Sequence, residues 1–448
     1  MKRILISATF VILQIIVVPA AMARTGTAGA LDTSFGGDGE VTWSFTPGSA
    51  GDVAIQGDGK IVAAGATGGS DSDFEVARYD SDGMLDSTFG GDGVVTTSFS
   101  TRIDIGIGVA IQSDGKIVAV GVSNIPDTDW KWAIVRYNTD GTFDATFGGD
   151  GKITTNFAPY KDVAHDVKIQ SDGKIVVAGE SAFADGRPGS NRRFALARYN
   201  SDGSLDTTFG VGGLVTTNFT PFADAVGAGG LAIQADGKIV AAGFAGRKDA
   251  NPHGSPGATF AMARYDIDGT LDATFGSDGT VTTDVAPSGD FGQAVAIQND
   301  GKIVVGGVAG VSDFSGGSAG NGKFALVRYN PDGTLDNTFG EGGNVRTNLT
   351  TYEDEAHGLA IQTDGKIVAV GIAGIGGPNW EAGLARYNTD GTLDTTFGSG
   401  GTVMTDFTPK IDFAFAVAIQ ADGKIVTAGV SGLGGAHPKF ALARYLPT

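Results

Sequence analysis

The sequence predicts an all-β fold: a seven-bladed β-propeller of four-stranded antiparallel blades, closed by the N-terminal strand completing the last blade. Three observations predict it. One unit recurs seven times, each unit contains four strand-like segments, and the two ends of the chain are complementary pieces of that unit.

The repetition rests on three independent strings. Ile-Gln-x-Asp-Gly-Lys-Ile-Val places its Asp at Asp58, Asp114, Asp172, Asp236, Asp300, Asp364 and Asp422, in steps of 56, 58, 64, 64, 64 and 58 residues. Arg-Tyr closes an apolar run at Arg78, Arg136, Arg198, Arg264, Arg328, Arg386 and Arg444. Leu/Phe-Asp-x-Ser/Thr-Phe-Gly follows, with its Phe at Phe35, Phe89, Phe147, Phe209, Phe275, Phe339 and Phe397. Three strings repeating in step define a structural unit.

Within the first complete unit, Asp52–Gln56 and Lys60–Gly65 flank Gly57-Asp58-Gly59, a tight turn where Gly relieves the cost of positive φ. Phe74–Tyr79 alternates as a strand does, and Val94–Phe99 is rich in β-branched residues. No segment after the N-terminal apolar run shows a helical period. Ile61-Val62-Ala63-Ala64 is apolar on both faces, as a strand covered by a blade on each side must be. Units of this length with four strands point to a propeller. Ala and Gly crowd these strands because blades converge on the axis.

The ends fit together. Leu31–Gly39 and then Glu40–Phe45 match the last part of a unit without its first three strands. Phe440–Tyr445 is a third strand lacking its fourth. Pairing the two would remove the open edges that invite aggregation.

Residues 1–23 read as a secretory signal peptide. Lys2 and Arg3 precede an apolar run from Ile4 to Val18, and Ala21-Met22-Ala23 supplies the small residues of a cleavage site. Residues 24–30 are a short linker and 31–448 the propeller. The mature chain is expected outside the cytoplasm, secreted or periplasmic, with no membrane insertion after cleavage. There is no Cys, so no cross-link contributes. The formal charge of −19 becomes −21 once Lys2 and Arg3 are removed. A chain this acidic repels nucleic acid and anionic membranes and attracts cations. A monomer is expected.

The pattern Ala-Ile-Gln-x-Asp-Gly-Lys-Ile-Val-x-x-Gly, followed by Phe-Ala-x-Ala-Arg-Tyr-Asn-x-Asp-Gly-x-Leu-Asp-x-Thr-Phe-Gly, resembles the delta-60 repeat of bacterial secreted and surface proteins. The resemblance covers residues 31–446 and is carried in full by, for example, Ala360–Gly371 with Gly383–Gly398. Departures are small: Phe143 replaces the Leu, Lys168 replaces an Ala, and Glu75 interrupts a third strand. The resemblance implies a propeller-like fold and an extracytoplasmic setting, and it brings no catalytic residues.

Alternating strand directions place the Asp-Gly-Lys and Asn/Asp-x-Asp-Gly turns on one face, nearly identical in every blade. The second-to-third and fourth-to-first connections share the other face. There, Glu180–Arg193, Phe244–Thr259 and Val308–Lys323 are long, Gly-rich and unlike one another. Binding residues concentrate on variable loops held by a rigid scaffold, so this face is the candidate functional surface.

Eight residues before the repeat Gln stand Asp104, Asp162, Asp290, Asp354 and Asp412, with His165 and His357 three residues after two of them. Lying just before the innermost strand, this ring is expected at the mouth of the channel. Asp162, His165, Asp354 and His357 suit calcium or another divalent cation. The competing reading is that each Asp caps a turn by accepting backbone N–H groups. Asp80, Asp82 and Asp86 faintly suggest a calcium loop, but a hairpin turn explains them. The Arg before each Tyr must be paired if buried, and Asp86 is the natural partner of Arg78. Trp130 and Trp380, beside variable connections, suit stacking on a sugar or anchoring a peptide, or else packing. Trp132 and Trp43 fall within strands and suit packing.

Catalysis finds little motif support. There is no thiol nucleophile, no phosphate loop, and none of the four His has a Ser or Asp partner at motif spacing. The leading expectation is a secreted, non-catalytic propeller engaging a protein or glycan through its variable face. Two alternatives stand beside it. One is a metal-assisted polysaccharide lyase or hydrolase at the channel mouth, and the other a propeller in which calcium serves stability.

Overall fold

The computed structural model describes residues 26–43, 48–69, 71–125, 129–158, 161–182, 192–219, 224–247, 257–311, 322–374, 380–435 and 437–448. They form 28 strands in seven four-stranded antiparallel sheets. The signal-peptide reading of residues 1–23 lies outside the described residues, as do residues 183–191, 248–256 and 312–321 of the long variable segments. No helix among the described residues is long and apolar enough to cross a membrane.

The first blade runs β2 (Gly48–Ile55), β3 (Ile61–Thr67), β4 (Phe74–Tyr79) and β5 (Val94–Thr97), paired in that order. Gly59, at φ 88°, turns β2 into β3. That is backbone only glycine adopts without strain. The innermost strands of the other blades are β6 (Asp104–Ile111), β10 (Asp162–Ile169), β14 (Asp224–Ile233), β18 (Gly289–Ile297), β22 (Asp354–Ile361) and β26 (Ile411–Ile419). Each touches the innermost strand of the next blade, and β26 touches β2, so the ring is closed.

Closure follows the predicted route. β1 (Glu40–Trp43) pairs antiparallel with β28 (Lys439–Tyr445), Glu40 opposite Ala443 and Trp43 opposite Phe440. The remainder of the expected closing strand, residues 44 and 45, lies outside the described residues.

Packing explains why the second strands are apolar on both faces. Val118 and Val120 of the second blade share a core with Ala164, Val167 and Val177 of the third. Across the closure, Val426, Phe440 and Leu442 pack with Ala50, Ile61 and Tyr79. Each fully buried aliphatic side chain contributes about 1.5–3 kcal/mol relative to exposure. The wedges are held by burial between them.

One feature of the innermost strands departs from expectation. They begin earlier than the alternation suggests, at Gly48 rather than Asp52 in the first blade. The reason is a β-bulge at the same register in all seven, for example between Ala50 and Asp52 and between Ala356 and Gly358. A bulge inserts one residue and resets the alternation, so the part before it no longer reads as a strand. The repeat's second-strand Gly is its counterpart. A Cβ on Gly65, Gly179 or Gly371 would collide with the carbonyl oxygen of Ser49, Val163 or Glu355 across the ladder.

Candidate functional site

The uniform face satisfies itself. Arg78 donates its Nε–H to Asp86 Oδ2 at 2.7 Å, and Lys60 of the Asp-Gly-Lys turn donates to the same oxygen at 2.6 Å. Asp86 Oδ1 accepts the N–H and hydroxyl of Thr88. The guanidinium lies over Phe89 and reaches into the next blade to donate to the carbonyl of Thr139. Burial alone would raise Asp86, but Lys60, Thr88 and the Arg78 charge hold its carboxyl far below the usual range. The arrangement repeats with Arg136–Asp144, Arg198–Asp206, Arg264–Asp272, Arg328–Asp336, Arg386–Asp394 and Arg444–Asp32. These groups are structural, as the sequence indicates.

The five aspartates are placed differently from expectation. Asp104, Asp162 and Asp354 open their strands rather than preceding them, and all five side chains are fully buried. Each turns back onto the preceding connection. Asp104 Oδ2 accepts the N–H of Phe99 at 2.7 Å and of Ser100 at 2.8 Å. Asp354 accepts from Leu349 and Thr350, Asp162 from Phe157 and Ala158, Asp290 from Val285 and Ala286, and Asp412 from Thr408. The shift has the same cause as the early strand start, since the extra bulged residue carries these positions past the channel rim. None of them lines the central cavity. Among the described residues no three His, Asp or Glu side chains are grouped to hold a metal ion. Asp162 and Asp354 are thus not brought together with His165 and His357; they hold loops.

The two histidines do reach the channel. The central cavity, about 780 Å³, is walled by all seven innermost strands. Its lining includes every bulged residue: Gly51, Ile107, His165, Gly229, Gln293, His357 and Phe415. Each is half-buried, facing the open axis. Burial holds both imidazoles below the ordinary histidine range, His357 down to about 4, so they are neutral at neutral pH.

The residue after the bulge ties blades together. Asp52 accepts the N–H of Val109 at 2.9 Å, and Asp166 that of Leu231 at 2.8 Å, each from the following blade. Lys168, in place of the repeat's Ala, donates to Asp166 at 2.6 Å. Burial pushes Asp52 up to about 6, with Lys168 opposing and Asp166 reinforcing the shift.

At the variable-face mouth, one sector stands out. Trp380, first residue of β24 (Trp380–Tyr387), meets Phe413 edge-on with ring centroids 6.3 Å apart. Phe413 meets Phe415 at 5.8 Å, and Phe415 meets His357 at 5.6 Å. This row of half-buried rings descends from the variable face into the channel. Beside it, Glu355 Oε2 lies 3.5 Å from His357 Nε2. Burial raises the Glu355 carboxyl to about 7, helped by the charge of Glu353 and a hydrogen bond with it. Tyr352 stands exposed alongside. Trp130 is held differently, with Lys161 Nζ over its ring at 4.3 Å.

Sequence reasoning reached His165, His357, Trp130 and Trp380 but missed Glu353, Glu355, Phe413, Phe415 and Gln293. The signal was present as departures from the repeat in the segment before each Gln. The string Gly316-Gly317-Ser318-Ala319-Gly320 matches a nucleophile-elbow pattern but lies outside the described residues.

Fold and repeat together define a seven-bladed β-propeller assembled from one recurring unit. The chain belongs to the β-propeller family described as domain of unknown function, DUF5122, whose model matches residues 56–89, 112–147, 170–209, 234–275, 298–339 and 362–397. No curated protein matches the chain. Among solved structures, it is similar to a polysaccharide lyase, an ulvan lyase bound to -[GlcA(1-4)Rha3S]-. That pair shares 13% identity over 91% of this chain and 96% of that one, with a TM-score of 0.46. It is also similar to virginiamycin B lyase from Staphylococcus aureus, with 11% identity over 77% and 84% and a TM-score of 0.37. A gluconolactonase from Xanthomonas campestris shares 12% identity over 74% and 83%, with a TM-score of 0.34. These likenesses concern fold alone.

Proposed function

We propose that this protein is a secreted or periplasmic, non-catalytic binding propeller of the delta-60 kind that engages a glycan through its variable face. The observation that carries this reading is the row Trp380–Phe413–Phe415–His357. Its rings are incompletely covered, and Tyr352, about half exposed at 52%, stands by the same rim. Flat rings with exposed faces suit the apolar faces of sugars, while Glu353, Glu355 and His357 offer hydrogen-bond partners to hydroxyls. The opposite face supports the reading by contrast, because its arginines and turn lysines are tied to the buried aspartates.

The test is a glycan array probed with the mature chain, followed by Trp380→Ala and Phe413→Ala. Selective binding lost in both variants, at unchanged melting temperature, supports the reading. Binding that survives both variants, or no glycan bound at all, overturns it.

A second reading has one specific observation in its favour. Glu355, its carboxyl raised by burial and by neighbouring Glu353, lies 3.5 Å from the neutral imidazole of His357, an arrangement suited to acid–base cleavage of a glycosidic bond. Incubating polysaccharides with the protein and assaying new reducing ends or unsaturated uronates separates the two. Turnover abolished by Glu355→Gln would replace the binding-only reading with an enzymatic one.

A further inference from the structure

We infer that the seven bulged residues form a recognition ring inside the channel, which takes the free end of a neutral glycan chain; the inference rests on the glycan-binding reading and deepens it. The ring arises from one backbone device repeated seven times. In every innermost strand the bulge falls at the same register, and the residue it expels lines the cavity. Bulges re-aim side chains and recur beside functional sites.

The sequence around the bulge is constrained and the bulge itself is not. The preceding residue is Ala or Gly in all seven blades, and the residue two places after is Val or Leu. Between them stand Gly, Ile, His, Gly, Gln, His and Phe. A wall needed for packing alone would repeat here as it does one place before and two places after. Instead this position carries two imidazoles, one amide, one phenyl ring, one isoleucine and two glycines pressed against the backbone of the next blade.

The chemistry points to a neutral polyhydroxylated ligand. Gln293, His165 and His357 offer both donors and acceptors, and Phe415 offers a ring face. Asp52 and Asp166 on the same wall disfavour an anion, and Lys168, the one cation among the described lining residues, is already paired with Asp166. A cavity of about 780 Å³ falls within the ordinary range for small-ligand sites, roughly 300–1,000 Å³.

Topology adds the end-on requirement. The ring is closed by β1 pairing with β28, so anything inside it must enter end first. At the far end, glutamines stitch neighbouring blades, Gln56 to the carbonyl of Gly115 and Gln362 to that of Gly423. The variable-face mouth, where the aromatic row leads inward, is taken as the entrance.

The test titrates the mature protein with cello-, xylo-, manno- and malto-tetraose by calorimetry. Each is offered free, coupled through its reducing end to a carrier protein, and coupled through its non-reducing end. Three variants are compared: Ile107→Trp, which fills the channel; Gln293→Ala, a smaller change; and Trp380→Ala at the mouth. The expected result is binding of at least one free tetraose, lost on coupling one end but not the other. Ile107→Trp and Gln293→Ala should each weaken it by about tenfold or more, as loss of a central contact does. If Trp380→Ala abolishes binding while Ile107→Trp and Gln293→Ala leave it unchanged, the channel inference falls and the glycan reading stands. Equal binding of both coupled forms also overturns the inference. If the array and the tetraoses alike give no binding, both fall. Should Ile107→Trp fail to fold, Gln293→Ala decides.

Discussion

Arg444 donates its Nε–H to Asp32 at 2.8 Å across 412 positions of sequence, reproducing the contact that Arg78 makes with Asp86 only eight positions away. Lys424 adds the third member at 3.1 Å, as Lys60 does in the first blade. The last blade is thus chemically equivalent to the others although its strands come from both ends of the chain. Ring closure is enforced by an ion triad as well as by strand pairing.

Asp32→Ala should therefore open the ring. It leaves the buried Arg444 guanidinium uncompensated, a change that costs about 3–5 kcal/mol. Chemical denaturation should show the loss, and limited proteolysis should release the segment ahead of Trp43. Asp394→Ala, in an interior blade, should lower stability comparably without exposing the N-terminal segment to protease. Equal protection of that segment in both variants would contradict the closure role.

Stability should rise, not fall, on mild acidification. Asp52, Asp162 and Asp290 sit at about 6 against 3.8 for the free group, and Glu355 at about 7 against 4.5. Burial is the first cause in each. The folded state takes up these protons before the unfolded one, so their contribution is full at low pH and is lost as pH rises through these values. His357, lowered from 6.5 to about 4, acts the other way, losing stability as pH falls through that window. The carboxyls outnumber it. The arginine-paired aspartates, held low, lose their contribution only as pH falls below 3.8. The melting temperature should peak at about pH 5 and drop steeply below about pH 3.5. A maximum at or above pH 7 would contradict this balance.

Gly371→Ala should be costly although Gly371 lies in an ordinary strand conformation. Its Cβ would strike the Glu355 carbonyl opposite the bulge. Overpacking of this kind costs about 1–3 kcal/mol. The displaced β22 should also move His357, so the imidazole resonances should shift in the folded protein. A neutral effect would mean the bulge does not need that glycine.

Lys168→Met should raise the Asp52 pKa above 6 in the folded protein, because Lys168 is the charge that opposes its rise. Carboxyl NMR titration reads this directly. An unchanged value would mean that Lys168 and Asp52 do not share a field across the channel.

Much of the fold was legible because it is written seven times. The Asp-Gly-Lys turn, the Arg-Tyr strand end and the Leu-Asp string fix three of the four strands, and the split unit at the termini fixes closure. The channel was harder to read. A bulge interrupts the two-residue alternation by which strands are recognised, so Gly48–Gly51 did not look like strand and Asp104 and its counterparts were placed at the channel mouth. The second-strand Gly, present in every blade, was the visible trace of the bulge, but its meaning depends on the residue across the ladder. Contacts between blades, such as Trp380 with Phe413, join parts of the chain that no local pattern connects.

Hydrogen exchange on the protein, with and without the tightest-binding tetraose, tests most directly whether function resides in the channel and its variable-face mouth. Added protection should fall on His357–Leu359 and Phe413–Val417, with none at the turns holding Asp58, Asp114 and Asp172. Protection confined to those turns, leaving the innermost strands unchanged, would place the ligand on the opposite face and contradict the assignment.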